Sequence, residues 1–226
     1  MIEAFIFDLD GVITDSAHYH YLAWKSLGEK LGIHIDEAFN ENLKGISRME
    51  SLEKILVHGN KQDEFTIEEK ENMANDKNKY YVELIKNITP KDTLPGIDKL
   101  LKNIRSNNIK IGLASASKNA IVVLENLELI SYFDFIADAG KCIHSKPDPE
   151  IFLMALEGLG VSPDNCIGIE DAMAGIDAIN DANMYSVGVG DEKSLYKANI
   201  VFDSTEKLSF EEIIKTYENF KLVKNS

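Results

Sequence analysis

After residue 90 the chain alternates short apolar runs with longer amphipathic stretches. The runs are "IKIGLAS" (109–115), "FDFIAD" (133–138), "CIGIED" (166–171), "MYSVGVG" (184–190) and "ANIVFD" (198–203). Each has the length of a strand and is apolar nearly throughout, the pattern of strands covered on both faces. Between them lie stretches with helical spacing: one from about Lys118, then "DPEIFLMALEGLG", "AMAGIDAIND" and a closing "SFEEIIKTYENF". This alternation predicts a parallel sheet with right-handed crossovers and helices on both faces. The opening "AFIFD" (4–8) supplies one more strand of that sheet.

Between the first strand and residue 90 the texture changes. "AHYHYLAWKSLGEKLG", "SRMESLEKILVHG" and "TIEEKENMANDKNKYYVELIKNI" carry helical spacing and almost no strand signal. The expected architecture is therefore α/β: a Rossmann-like parallel-sheet core, residues 1–15 and 89–226, with a helical cap domain, residues 16–88, inserted after the first strand. "TP" at 89–90 and "LPG" at 94–96 punctuate the return to the sheet.

Charge narrows the partners. Thirty-eight acidic against 24 basic residues give a formal net charge of −14, which repels nucleic-acid backbones and anionic membranes. No run is long and apolar enough to span a bilayer, so a cytoplasmic protein, acting as a monomer on a small molecule, is expected. The two cysteines, Cys142 and Cys166, are too few for a disulfide framework or a thiolate metal site.

Ligands of open parallel sheets bind beyond the carboxyl ends of the strands. The first strand ends in Asp8 and Asp10, "IGLAS" ends in Ser115 with Ser117 and Asn119 beyond it, and "IGIED" ends in Glu170 and Asp171. "SKPDPE" adds Lys146. Carboxylates crowded at one crevice call for a cation, and oxygen ligands without His or Cys suit Mg²⁺. A helix N-terminus after Ser115 and the ammonium of Lys146 would then suit a phosphoryl group.

These residues form four motifs, "DLDGVITD" (8–15), "ASAS" (114–117), "KPDP" (146–149) and "IGIEDAMAGI" (167–176), and in them the sequence resembles the haloacid dehalogenase-like phosphotransferases. The resemblance implies that Asp8 is the nucleophile that becomes an aspartyl phosphate and that Asp10 is the general acid/base. It implies further that Glu170 and Asp171 hold Mg²⁺ together with Asp8 and the backbone carbonyl of Asp10, and that Ser115 and Lys146 offset charge on the transferring group.

The insert sharpens this. "LKGISRMESL" (43–52) is similar to the specificity loop of those family members that interconvert β-D-glucose 1-phosphate and glucose 6-phosphate through β-glucose 1,6-bisphosphate. On that likeness Lys44, Gly45, Arg48 and Ser51 contact sugar and distal phosphate, with His20, Trp24, Lys77, Ala116, Ser117 and Asn119 completing the substrate site. A Mg²⁺-dependent sugar-phosphate phosphatase is the alternative, and a silent binding module a remoter one. Ser16 stands where the family pattern leads one to expect threonine, Cys142 and His144 match no role, and the last twenty residues match poorly.

Overall fold

A computed structural model describes residues 2–43 and 46–224. Six strands form one parallel sheet: β1 (Ala4–Phe7), β2 (Lys110–Leu113), β3 (Phe135–Ile136), β4 (Cys166–Glu170), β5 (Tyr185–Val189) and β6 (Ile200–Phe202), in spatial order β3-β2-β1-β4-β5-β6. Every run expected as a strand forms one. The order reverses at β1, which pairs with β2 through Phe5 and Ile111 on one side and with β4 through Phe5 and Ile167 on the other. That reversal is the topological switch point at which such sheets open a crevice.

Side chains of β1 alternate between faces, as the two-residue period of a strand requires. Phe5 and Phe7 join one core with helices α5 (Ile97–Ser106), α6 (Ala120–Asn126) and α9 (Phe210–Lys224). Ala4 and Ile6 join another with α7 (Glu150–Leu159) and α8 (Met173–Asp181). Both faces are thus covered, which explains the unbroken apolar runs. The closing helix, weakly matched in sequence, is well anchored. Its Ile213 and Tyr217 are buried, and Tyr217 donates a hydrogen bond to the Asp164 carbonyl at 2.7 Å.

The stretch between β1 and α5 is helical, as expected: α1 (Ala17–Leu31), α2 (Glu37–Asn40), α3 (Arg48–His58) and α4 (Ile67–Ile85). The short α2 had no periodicity to announce it; Asp36 starts it by accepting the Phe39 N–H. Capping boxes, Ser47 with Glu50 and Thr66 with Glu69, fix the starts of α3 and α4. These helices gather around a core of their own, including Trp24, Leu27, Ile35, Leu52, Ile55 and Leu56. The far end of α4 reaches into the sheet core through Tyr81 and Ile85.

The chain leaves for the insert and returns from it side by side. Thr14 and Thr93 form an antiparallel bridge, Leu94 N–H donates to the Ile13 carbonyl at 2.9 Å, and the Thr14 hydroxyl to that of Asp92 at 2.8 Å. No helix among the described residues is long and apolar enough to cross a membrane. On α5, Arg105 meets Asp134 and Lys102 meets Asp98. Both cysteines are free thiols; burial pushes Cys166 up to about 12, and it donates to the Ser162 carbonyl.

Candidate active site

Asp8 follows β1 directly, its N–H still donating to the Ile169 carbonyl at 2.9 Å, so its carboxylate emerges at the switch point. Lys146 lies beneath the crevice rather than in it. It is 2% exposed, and its Nζ donates to Asp8 Oδ1 at 2.6 Å and to Glu170 Oε1 at 2.7 Å. Between two carboxylates this ammonium is held above its usual range. Asp8 itself is pushed up to about 7, chiefly by burial, with Lys146 opposing and Glu170 and Asp10 adding to the rise.

Glu170 ends β4 and is 1% exposed; its second oxygen accepts the Ala172 N–H at 2.8 Å, just ahead of α8. Two glycines make room for these acids. A Cβ on Gly175 would fall 1.9 Å from Glu170 Oε1, and one on Gly11 would fall 2.0 Å from Asp171 Oδ2. Gly11 also has φ +76°, a conformation that glycine adopts without strain. Both glycines stand in motifs of the sequence; neither close approach could be read from it.

Asp10 lines the same cavity and accepts a hydrogen bond from the Ser16 hydroxyl. Its carboxyl is raised to about 6, mainly by burial, with the Ser16 bond opposing. Serine in place of threonine therefore keeps the hydroxyl that the position uses. Behind Ser16 stands Tyr81, fully buried, whose hydroxyl donates to Ser16 Oγ at 3.3 Å. The ring of His20 stacks on Tyr81 with centroids 3.9 Å apart. Tyr81 was missed in the sequence, where "KYYVELI" reads only as an apolar helix face.

Lys77, whose type and setting in α4 suggest a solvated position, is 3% exposed. Its Nζ lies 2.8 Å from His20 Nδ1 and 4.3 Å from the centroid of the Trp24 ring. Burial, then Arg48, pulls Lys77 down to about 7, while burial, Lys77 and Arg48 hold His20 well below its usual range. A neutral His20 can accept at Nδ1 from the lysine.

The cavity also takes in Arg48 and Ser51 of α3, and Ser115, Ala116, Ser117 and Asn119 after β2. The loop after β2 is held by its own side chains: Ser117 N–H donates to Ser115 Oγ at 3.1 Å and Asn119 N–H to Ser117 Oγ at 3.3 Å. Helix α6 begins at Ala120, two residues later than expected. Arg48 Nη2 and Asn119 Nδ2 both donate to Asn78 Oδ1, each at 2.8 Å. Ser51 donates to the Ser47 carbonyl. Asn40, Ser47 and Lys118 line the cavity too and were not anticipated. Lys44 and Gly45 lie outside the described residues.

Ligand oxygens of Asp8, Glu170 and Asp171 all lie within 4.8 Å of one another. Three carboxylates against one lysine leave an excess of negative charge, and a set of hard oxygen donors fits Mg²⁺. A second group, His144, Asp148 and Glu150, sits at the surface, where Glu150 already accepts the N–H groups of Ile143 and His144.

A family model for haloacid dehalogenase-like hydrolases matches residues 2–183. The chain belongs to that family. Dependence on Mg²⁺ is typical of haloacid dehalogenase-like proteins, in keeping with the carboxylate cluster. Relatives of this family member include a β-phosphoglucomutase from Bacillus subtilis, 47% identical over 221 residues, 98% of each chain. A phosphorylated carbohydrates phosphatase from Thermotoga maritima is 30% identical over 207 residues, 88% of this chain and 93% of its own. The crystal structure of a β-phosphoglucomutase from Clostridium difficile matches with a TM-score of 0.97 and 64% identity, over 98% of this chain and 100% of that one.

Proposed function

We propose that the protein is a β-phosphoglucomutase that interconverts β-D-glucose 1-phosphate and glucose 6-phosphate. The observation that carries this reading is one cavity lined both by Asp8 and Asp10 of the sheet domain and by Arg48, Ser51 and His20 of the insert. A phosphatase needs a single phosphate site and access for water. A bisphosphate intermediate needs a second, and Arg48 with Asn119 offers paired donors for it.

In this reading residues 1–15 and 89–226 form the phosphoryl-transfer domain and residues 16–88 the cap. Phosphorylated Asp8 gives its phosphoryl group to the 6-hydroxyl of β-glucose 1-phosphate, and Asp10 takes the hydroxyl proton. The product, β-glucose 1,6-bisphosphate, turns over in the cavity. Asp8 then attacks the 1-phosphoryl group, Asp10 returns the proton to the departing C1 oxygen, and glucose 6-phosphate leaves a phosphorylated enzyme behind. Mg²⁺ held by Asp8, Glu170, Asp171 and the Asp10 backbone carbonyl would offset charge on the phosphoryl group in flight.

Lys146 and the Ser115 loop supply the rest of that charge balance from the protein. Trp24, Lys77, Ala116, Ser117, Ser51 and His20 shape the sugar site, with Lys44 and Gly45 of the adjoining loop assigned to it by sequence alone. A positioned sugar hydroxyl can reach an effective molarity of about 10⁵ to 10⁸ M, well above bulk water, and this lets transfer outrun hydrolysis. In the same reading the protein acts as a monomer, and we place it in the cytoplasm.

The relative from Thermotoga maritima favours a second reading, a sugar-phosphate phosphatase. One experiment separates them: protein, Mg²⁺, β-glucose 1-phosphate and a trace of β-glucose 1,6-bisphosphate, with glucose 6-phosphate and free phosphate followed together. The mutase reading expects glucose 6-phosphate with little free phosphate. Free phosphate released mole for mole with substrate loss, and no isomerisation, selects the phosphatase.

A further inference from the structure

Asn78 lies one position beyond Lys77 in α4, half-buried, and does not line the cavity. Its side-chain oxygen nonetheless accepts from two residues that do, Arg48 of the insert and Asn119 of the sheet domain, each at 2.8 Å. An amide oxygen has two lone pairs, and here one serves each domain. The backbone at each donor is set from its own side. Arg48 opens α3, whose start the Ser47–Glu50 capping box sets, and Asn119 is tied to Ser117.

Two donors aimed at one oxygen are already spaced to converge on a single anion. The acceptor that brings them together is uncharged. A carboxylate in its place would form a charge-assisted pair with the guanidinium and compete with a phosphate for it, whereas an amide yields to the stronger anionic acceptor. We propose that Asn78 is a positioning residue that joins Arg48 to Asn119 across the two domains and so assembles the site for the phosphate remote from Asp8. This rests on the mutase reading in taking Arg48 and Asn119 as ligands of that phosphate.

The test is a double-mutant cycle of Asn78→Ala and Arg48→Ala, read as KM and kcat for β-glucose 1-phosphate. Alanine's better helix propensity offsets part of the two lost hydrogen bonds, so the melting temperature of Asn78→Ala should fall by no more than a few degrees and the variant stays folded at the assay temperature. Loss of two hydrogen bonds that orient the site should raise KM about tenfold, with a smaller change in kcat. With Arg48 already removed, the same change should raise KM by only about threefold, because Asn78 then orients Asn119 alone. An equal rise in KM with and without Arg48, no rise at all, or a loss confined to kcat would overturn the assignment. A wild type that forms no glucose 6-phosphate would instead reject the mutase reading. The cycle would then be read as the Kd for inorganic phosphate by calorimetry, with dependence on Arg48 supporting the role of Asn78 and independence rejecting it.

Discussion

Asp8→Asn is expected to abolish turnover, by more than about 10⁴-fold, the scale on which enzymes lose rate when a covalent nucleophile is removed. The amide has the shape of the carboxylate and keeps an oxygen for the Lys146 hydrogen bond at 2.6 Å, so the loss is chemical and not a failure to fold. What the variant lacks is the oxygen proposed to attack phosphorus. Intact mass spectrometry after exposure to β-glucose 1,6-bisphosphate should show a gain of one phosphoryl group on the wild type and none on the variant. Retention of even a tenth of the wild-type rate would remove Asp8 from its assigned role.

The second large effect belongs to Asp10→Asn. The amide still accepts the Ser16 hydroxyl but cannot shuttle a proton, and a positioned acid/base is typically worth about 10² to 10⁴ in rate. The loss should depend on the leaving group. A sugar oxygen needs the proton that Asp10 supplies, whereas the acetate leaving acetyl phosphate does not. Phosphorylation of Asp8 by acetyl phosphate should therefore fall far less than isomerisation of β-glucose 1-phosphate. Equal losses with both donors would make Asp10 a structural residue. Its environment suits the role: burial raises the carboxyl to about 6, nearer to neutrality than an exposed aspartate.

The sheet was legible because burial on both faces turns each strand into an unbroken apolar run, and the order of those runs fixes where the acids emerge. Asp8, Asp10, Ser115, Glu170 and Asp171 all follow from one rule, that ligands bind at strand ends. The helical insert was legible for a related reason: a long segment lacking period-two alternation has no place in the sheet. Contacts that join distant parts of the chain left no such trace. Lys146 sits in a polar loop segment and was placed at the site by its motif alone; its packing against Asp8, 138 residues earlier in the chain, shows only in the fold.

Lys77 and Asn78 lie in "ANDKNKYY", a composition that reads as a solvated helix face. Only the packing of α4 against α1 and the sheet domain turns that face inward, where Lys77 meets His20 and Asn78 meets Asn119. Gly11 and Gly175 show the same limit from the other side. Their value is the space that a missing Cβ leaves for carboxylates arriving from Asp171 and Glu170, and space has no sequence signature. Tyr81 is legible as apolar, but its hydroxyl's place behind Ser16 and Asp10 depends on how the insert folds back beside its own point of departure.

Whether the phosphoryl group on Asp8 passes to a sugar and not to water is decided by a chase experiment. Protein phosphorylated from β-glucose 1,6-bisphosphate carrying ³²P in both phosphoryl groups is freed of ligand and divided, one half receiving β-glucose 1-phosphate with Mg²⁺ and the other Mg²⁺ alone. Label should leave the first half rapidly and appear in sugar phosphate, while the second half loses it slowly as free phosphate. Label released as free phosphate at one rate in both halves would contradict transfer to the sugar.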